Sequence, residues 1–203
     1  GDWKMKLVLI EQPTDEIITL QETKNYLRID HDFDDDLLKM LIKSTRTAME
    51  AIIQKSIMSQ TWEYTIDHHS VSNSKYERRD IANVSGGIIT IPLPKSPVVN
   101  ILSVKMGSDT IETTAYCLER VANKFCLILN CQNIPSKKVK YPIIIRYQSG
   151  ISTEKENIPY QLKLANLMLV ANAYQERYSY SQNNVISQSV KELLMPFLNL
   201  RIF

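Results

Sequence analysis

The residues with the most chemical potential stand together early in the chain. Asp30-His31-Asp32-Phe33-Asp34-Asp35-Asp36 carries five aspartates in seven positions. Asp30, Asp32 and Asp34 fall at the first, third and fifth places of a calcium loop of the EF-hand type. The match then breaks: the sixth place is Asp35 where the turn needs glycine, and the twelfth is Leu41 where calcium needs a bidentate glutamate. A metal-dependent enzyme built on Asp30–Asp36 is therefore the weaker reading. The stronger one is electrostatic. An apolar-periodic helix follows directly, and each carboxylate in its first turn is stabilised by roughly 0.3–1 kcal/mol at the positive end of the helix dipole.

The remaining reactive side chains are poorly arranged for chemistry. Cys117, Cys126 and Cys131 are spaced by nine and five residues, which suits neither a zinc knuckle nor a redox pair. Their odd number, without a signal peptide, favours reduced thiols made in a cytoplasm. His68 and His69 adjoin in a polar stretch with no ligand partner at a metal-site spacing. No phosphate-cradling glycine loop, nucleophile elbow or His-Glu-x-x-His is present, and five glycines leave little room for the first two. Lys137-Lys138-Val139-Lys140 is a short basic run without a recognition helix around it. The reading is a protein that is not an enzyme and needs no cofactor or metal.

The elements that would position these residues follow from pattern. Thr19-Leu20-Gln21-Glu22 is a capping box, so a short helix runs from Leu20 to about Leu27. After the acidic turn, Leu37, Leu38, Leu41, Ile42, Ala48, Met49, Ile52 and Ile53 form one apolar face. Lys39, Lys43, Arg46, Glu50 and Gln54 form the opposite polar stripe, and this helix ends near Lys55. Short strands are expected at Lys6–Glu11, Gln60–Asp67, Ile88–Leu93, Val98–Met106, Thr113–Glu119, Phe125–Leu129 and Val139–Tyr147. Residues 68–87 are polar and read as a long loop or hairpin extension. Pro159 suits the first turn of a third helix, and from Leu162 to Tyr174 apolar residues cover nearly its whole circumference, more than one neighbour needs. Ser189-Val190-Lys191-Glu192 is a second capping box, predicting a helix from about Val190 that Pro196 stops. The last seven residues carry Phe197, Leu198, Leu200, Ile202 and Phe203.

The fold class is thus α+β: a mainly helical subunit with a central antiparallel β-module. Residues 1–203 form one domain, divided into N-terminal helices and first strand (5–67), the extension (68–87), the β-module (88–150) and C-terminal helices with the tail (157–203). Composition agrees: 203 residues, 44% hydrophobic and 23% charged, is ordinary for a globular protein. A formal charge of +2 exerts no strong pull on nucleic acid or membrane. No apolar run approaches the ~20 residues of a membrane span.

A family resemblance runs through the chain in order. "TLQETKNYLRIDHDFDDDLLKMLIKSTRTAME" resembles the opening of the phage head–tail connector (adaptor) family of long-tailed phages and prophages. "ITIPLPKSPVVNILSVKM" resembles its Leu-Pro-x-x-Pro-Val segment and following strand. "AYCLER" and "IIIRYQSGI" resemble two of its strands. "IPYQLKLANLMLVANAYQERY" resembles its long C-terminal helix, and "VKELLMPFLNLRIF" its closing segment. The resemblance implies a structural virion protein of the head–tail junction. It implies a homo-oligomeric ring, commonly dodecameric, under the portal protein, which extends the channel for double-stranded DNA without reading its sequence. It also implies a docking platform for a tail-side stopper or tail-completion protein, those two being the alternative identities. Candidate ring-interface residues are Leu38, Leu41, Met49, Leu164, Leu167 and Met168. Candidate portal-docking residues are Phe197, Leu198, Leu200, Ile202 and Phe203.

Overall fold

The computed structural model describes residues 5–66, 83–85, 87–121, 124–130, 142–176 and 187–198. The chain divides into two units: Gly1–Gln12 with Ser59–Gly150, and Pro13–Met58 with Ile151–Phe203. The expected α+β class is observed. The expected weight is corrected, because among the described residues strands hold about as many positions as helices. The segments flanking the N-terminal helices join the sheet, so the β-module is larger than its central run suggests.

The first unit contains nine strands: β1 (Lys6–Glu11), β2 (Gln60–Ile66), β3 (Asn83–Ser85), β4 (Ile88–Pro92), β5 (Val98–Met106), β6 (Asp109–Thr110), β7 (Tyr116–Val121), β8 (Lys124–Asn130) and β9 (Ile143–Ser149). All pairings between these strands are antiparallel, in one five-stranded sheet ordered β1-β2-β9-β5-β6 and one four-stranded sheet ordered β3-β4-β8-β7. The period-two pattern explains the two faces. In β9, Ile143, Ile145 and Tyr147 point inward while Arg146 is exposed and pairs with Glu63 opposite it on β2 at 2.8 Å. Both sheets contribute to one core, including Ile66, Val104 and Ile145 from the first and Ile91, Leu127 and Leu129 from the second. Tyr147 lies in it with its hydroxyl donating to the Pro94 carbonyl at 2.7 Å, and burial pushes its phenol above the usual tyrosine range. Gly107, at φ 61°, makes the β5–β6 turn.

Several strand boundaries move. The strand expected from Thr113 begins at Tyr116, because Thr113–Ala115 forms a 3-10 turn first. The strand expected from Val139 is seen from Ile143, with 139–141 outside the described residues. Within the expected 68–87 extension, β3 pairs with β4 as a hairpin; 68–82 lie outside the described residues.

The second unit is helical: α1 (Leu20–Leu27), α2 (Asp35–Ile53), α3 (Tyr160–Gln175) and α4 (Gln188–Leu194). The first capping box forms as expected, with Glu22 N donating to Thr19 Oγ1 at 3.1 Å and Thr19 N donating to Glu22 at 2.6 Å. α1 closes through Arg28 in the left-handed region at φ 57°, and Ile29 N reaches back to Lys24 O at 3.0 Å. α2 buries Leu38, Ile42, Met49 and Ile53 against Leu162, Ala165 and Val170 of α3 and Val190 and Leu194 of α4, each side chain of this size stabilising by roughly 1.5–3 kcal/mol. The second capping box does not form. Ser187 caps α4 instead, its Oγ accepting from Val190 N at 3.4 Å, while Glu192 accepts from Gln188 on the helix surface at 3.1 Å. The serine two residues earlier serves, so the helix begins at Gln188. Pro196 does end the α-helix, with Met195–Phe197 continuing as a 3-10 turn.

Candidate functional site

The side chains that could act on another molecule cluster in the helical unit. At the α1–α2 corner, Lys24 is buried and its ammonium sits among the aspartates, donating to Asp32 at 2.5 Å and Asp35 at 2.9 Å. That contact holds the Asp32 carboxyl below the usual range and the Lys24 ammonium above its own. Asp34 occupies the N-cap of α2 without a side-chain cap bond, and instead accepts from the Tyr174 hydroxyl at the far end of α3. A lysine thus stands among these carboxylates, and among the described residues no group of three His, Cys, Asp or Glu is placed to hold a metal ion. Asp35 and Asp36 lie in the first turn of α2 as the dipole reading requires.

The expected polar stripe of α2 is also corrected. Arg46 and Glu50 are 3% and 4% exposed. Arg46 donates to Glu16 at 2.6 and 3.3 Å and to Glu50 at 2.8 Å, and Glu50 accepts from Ile57 N at 2.7 Å. The segments before α1 and after α2 are thus tied to one guanidinium, whose planar fork suits two carboxylates at once. Nearby, Thr45 Oγ1 and Asn166 Oδ1 stand 2.6 Å apart within the α2–α3 contact.

Two surface features remain. Phe33, in the acidic corner, is 95% exposed, with its ring 5.5 Å from that of His31. In the same unit an open groove of ≈ 470 Å³ is lined by Ile18, Leu164, Leu167 and Leu193, with Tyr160, Gln161, Lys163 and Glu22 completing it. Lys163 lies 5.3 Å from the centroid of the Tyr160 ring.

Of the residues singled out in the sequence, Leu38 and Met49 are wholly buried in the unit's own core. Leu41, Leu167 and Met168 are partly buried against that core, and Leu164 is exposed in the groove. Phe197 and Leu198 also pack partly against it. Leu200, Ile202 and Phe203 lie outside the described residues, as do His68, His69, Cys131 and Lys137–Lys140. Cys117 is exposed and Cys126 buried, both as free thiols. The sequence reading missed Phe33, Lys24 and the groove. Phe33 had a signal, being the one aromatic residue in an otherwise acidic and polar turn. Lys24 had none, since its partners are fixed only by the corner's geometry.

The class of protein follows from comparison with known families. The head completion protein family matches residues 16–191, so the chain belongs to that family, one of phage head–tail connector proteins and hence of structural virion components. The fold recurs in solved structures. A chain from the neck of an empty gene transfer agent particle, computed with C6 symmetry, is 16% identical over 98% of both chains, with a TM-score of 0.72. A chain from the virion of the native particle is 15% identical over 98% of both chains, at 0.69. One from the native particle's neck, computed with C12 symmetry, is 14% identical over 98% of both chains, also at 0.69. No curated protein sequence matches the chain.

Proposed function

We propose that the protein is a non-enzymatic subunit of a virion neck, which assembles as a homo-oligomeric ring beneath the portal protein. The observation that carries this reading is the family match over 16–191, joined to near full-length likeness to subunits of C6- and C12-symmetric necks. In this reading the ring is dodecameric in the particle and extends the channel for passing double-stranded DNA. Its tail side forms the platform for a stopper or tail-completion protein. Residues 1–203 act as one connector domain built from both units. Leu41, Leu164, Leu167 and Met168 belong to the ring contact, with Leu38 and Met49 supporting it from the core. The tail from Phe197 and Leu198 through Leu200, Ile202 and Phe203 docks on the portal, since apolar and aromatic anchors in pockets commonly dominate interface energy.

Electron microscopy of the subunit mixed with the portal protein of the same particle tests the reading. Closed rings seated on the portal are expected; unbound monomer throughout overturns it. Deleting Asn199–Phe203 abolishes portal binding and leaves the melting temperature of the free subunit within a few degrees. A truncated subunit that still binds removes the tail from the docking surface.

A further inference from the structure

Building on the ring reading, we propose that Phe33 of each subunit seats in the apolar groove of the next subunit, a second copy of this chain being the groove's occupant. A phenylalanine side chain 95% in water is a large unused apolar surface, and it stands beside a well-formed corner rather than in a loose tail. The groove has the matching chemistry. Ile18, Leu164, Leu167 and Leu193 supply an apolar floor, and ≈ 470 Å³ accommodates a benzyl group with its flanking backbone.

The rims differ in charge. Around Phe33 the five aspartates between Asp30 and Asp36 outnumber Lys24 and Lys39, which pair with the exposed Asp32 and Asp36 at 2.5 and 3.1 Å. The groove presents Lys163, its ammonium held near the Tyr160 ring. Glu22, the one acidic lining residue, is turned to its own helix: it accepts from Thr19 N at 2.6 Å and from Thr19 Oγ1 at 2.8 Å. The Thr19 backbone bond, together with the Lys163 ammonium, holds its carboxyl below the usual glutamate range, so the apolar fit rather than charge carries the contact.

The two features also have the placement a ring needs. Phe33 lies just before α2, close to the C-terminal end of α3, where Tyr174 bonds to Asp34. The groove uses the first turns of α3, Tyr160 to Leu167. Ten residues of helix, from Leu164 to Tyr174, span about 15 Å. A subunit whose knob and groove are so separated leaves its own groove to a neighbour, and a head-to-tail contact between different faces is the kind that closes into a ring where its rotation divides the circle.

Disulfide capture tests the contact on the full chain, in a background of Cys117→Ser, Cys126→Ala and Cys131→Ser. Phe33→Cys mixed with Leu164→Cys under oxidising conditions is expected to cross-link, whereas neither alone does, nor Leu164→Cys mixed with the exposed control Glu112→Cys. A chain carrying both cysteines is expected to give a ladder beyond dimers. In sedimentation, Phe33→Ala weakens self-association about tenfold or more without lowering the melting temperature, and Leu164→Glu adds nothing further to it, since both remove one contact. An oligomer by sedimentation with no mixed cross-link, a ladder stopping at dimers, or Phe33→Ala assembling as the wild type overturns the contact and leaves the ring reading standing. Absence of any oligomer at all concentrations, with and without portal protein, takes down the ring reading and this contact with it.

Discussion

The two units hold themselves together by different means. The sheet unit buries an almost wholly aliphatic and tyrosine core, from Ile66 and Ile91 to Leu127, Ile145 and Tyr147, and its buried polar residues among those described, Gln60, Thr61 and Ser149, are uncharged. The helical unit has an apolar core of comparable make-up, yet also buries Lys24, Arg46, Glu50 and Asn166. Apolar packing depends on volume and tolerates many solutions. A guanidinium held between two carboxylates tolerates few, because each lost partner leaves a desolvated charge. The lesson is that the helical unit spends its polar groups on fixing the segments around α1 and α2, where its knob and one wall of its groove lie.

The largest effect expected from this difference comes from Arg46. Arg46→Ala removes the cation facing Glu50 and Glu16, and should cost about 3–5 kcal/mol in denaturant unfolding. The joint replacement Arg46→Met with Glu50→Leu should recover only part of that loss, since Ile57 N then lacks its carboxylate acceptor at a cost of about 1–3 kcal/mol. Single-variant losses near those of a surface substitution, about 0.5 kcal/mol, would erase the contrast between the units.

A smaller effect sharpens the other side. Tyr147→Phe removes the hydroxyl that satisfies the Pro94 carbonyl and should cost about 1 kcal/mol. The pH profile gives the sign. The folded phenol titrates above its unfolded value, so the unfolded state releases its proton first. Stability of the wild type is complete below the ordinary tyrosine range and falls as pH rises through it, and Tyr147→Phe should flatten that alkaline fall. Equal alkaline slopes in the two proteins would exclude Tyr147 as its source.

The smallest effect is expected at the acidic corner. Lys24→Met should lower the melting temperature at neutral pH. The depressed Asp32 carboxyl contributes above the ordinary aspartate range and loses its contribution as pH falls through its folded value, so the difference between variant and wild type should shrink in acid. Calcium or a chelator should leave the melting temperature unchanged. A calcium-dependent rise would mean that the corner holds a cation other than the lysine.

Local rules made much of the fold legible. The Thr19 capping box, the apolar face of α2, the stop at Pro196 and strands such as Val98–Met106 all follow from residues close in sequence. What local rules missed are distances across the chain. Arg46 and Glu50 read as solvated because a polar stripe opposite an apolar one is the ordinary surface pattern; Glu16, thirty residues upstream, turns it inward. Tyr174 meeting Asp34 lies beyond any window of pattern reading. The Ser189 box lost to Ser187 because two serines compete for one helix start and sequence alone ranks the fuller motif higher. For the candidate site, the apolar surplus of Leu162–Tyr174 pointed to an assembly surface, while the groove's other wall, Ile18 and Leu193, comes from distant segments.

The interruption of the helical unit has a kinetic consequence. Its two halves, Pro13–Met58 and Ile151–Phe203, are separated in sequence by the body of the sheet unit, Ser59–Gly150. Bringing α2 to α3 in an unfolded chain means closing a loop of about ninety residues, an entropic cost of about 4 kcal/mol before any contact between them is rewarded. The sheet takes on that cost, since Gln60 and Ser149 are as distant in sequence. β2 and β9 pair antiparallel with Gln60 opposite Ser149, so its entry and exit leave side by side, and Ile151 N then reaches Ile57 O at 2.9 Å. Helix docking therefore inherits the speed of strand pairing: the search over ninety residues is made once, by the β2–β9 ladder, and α2 and α3 meet as near neighbours afterwards.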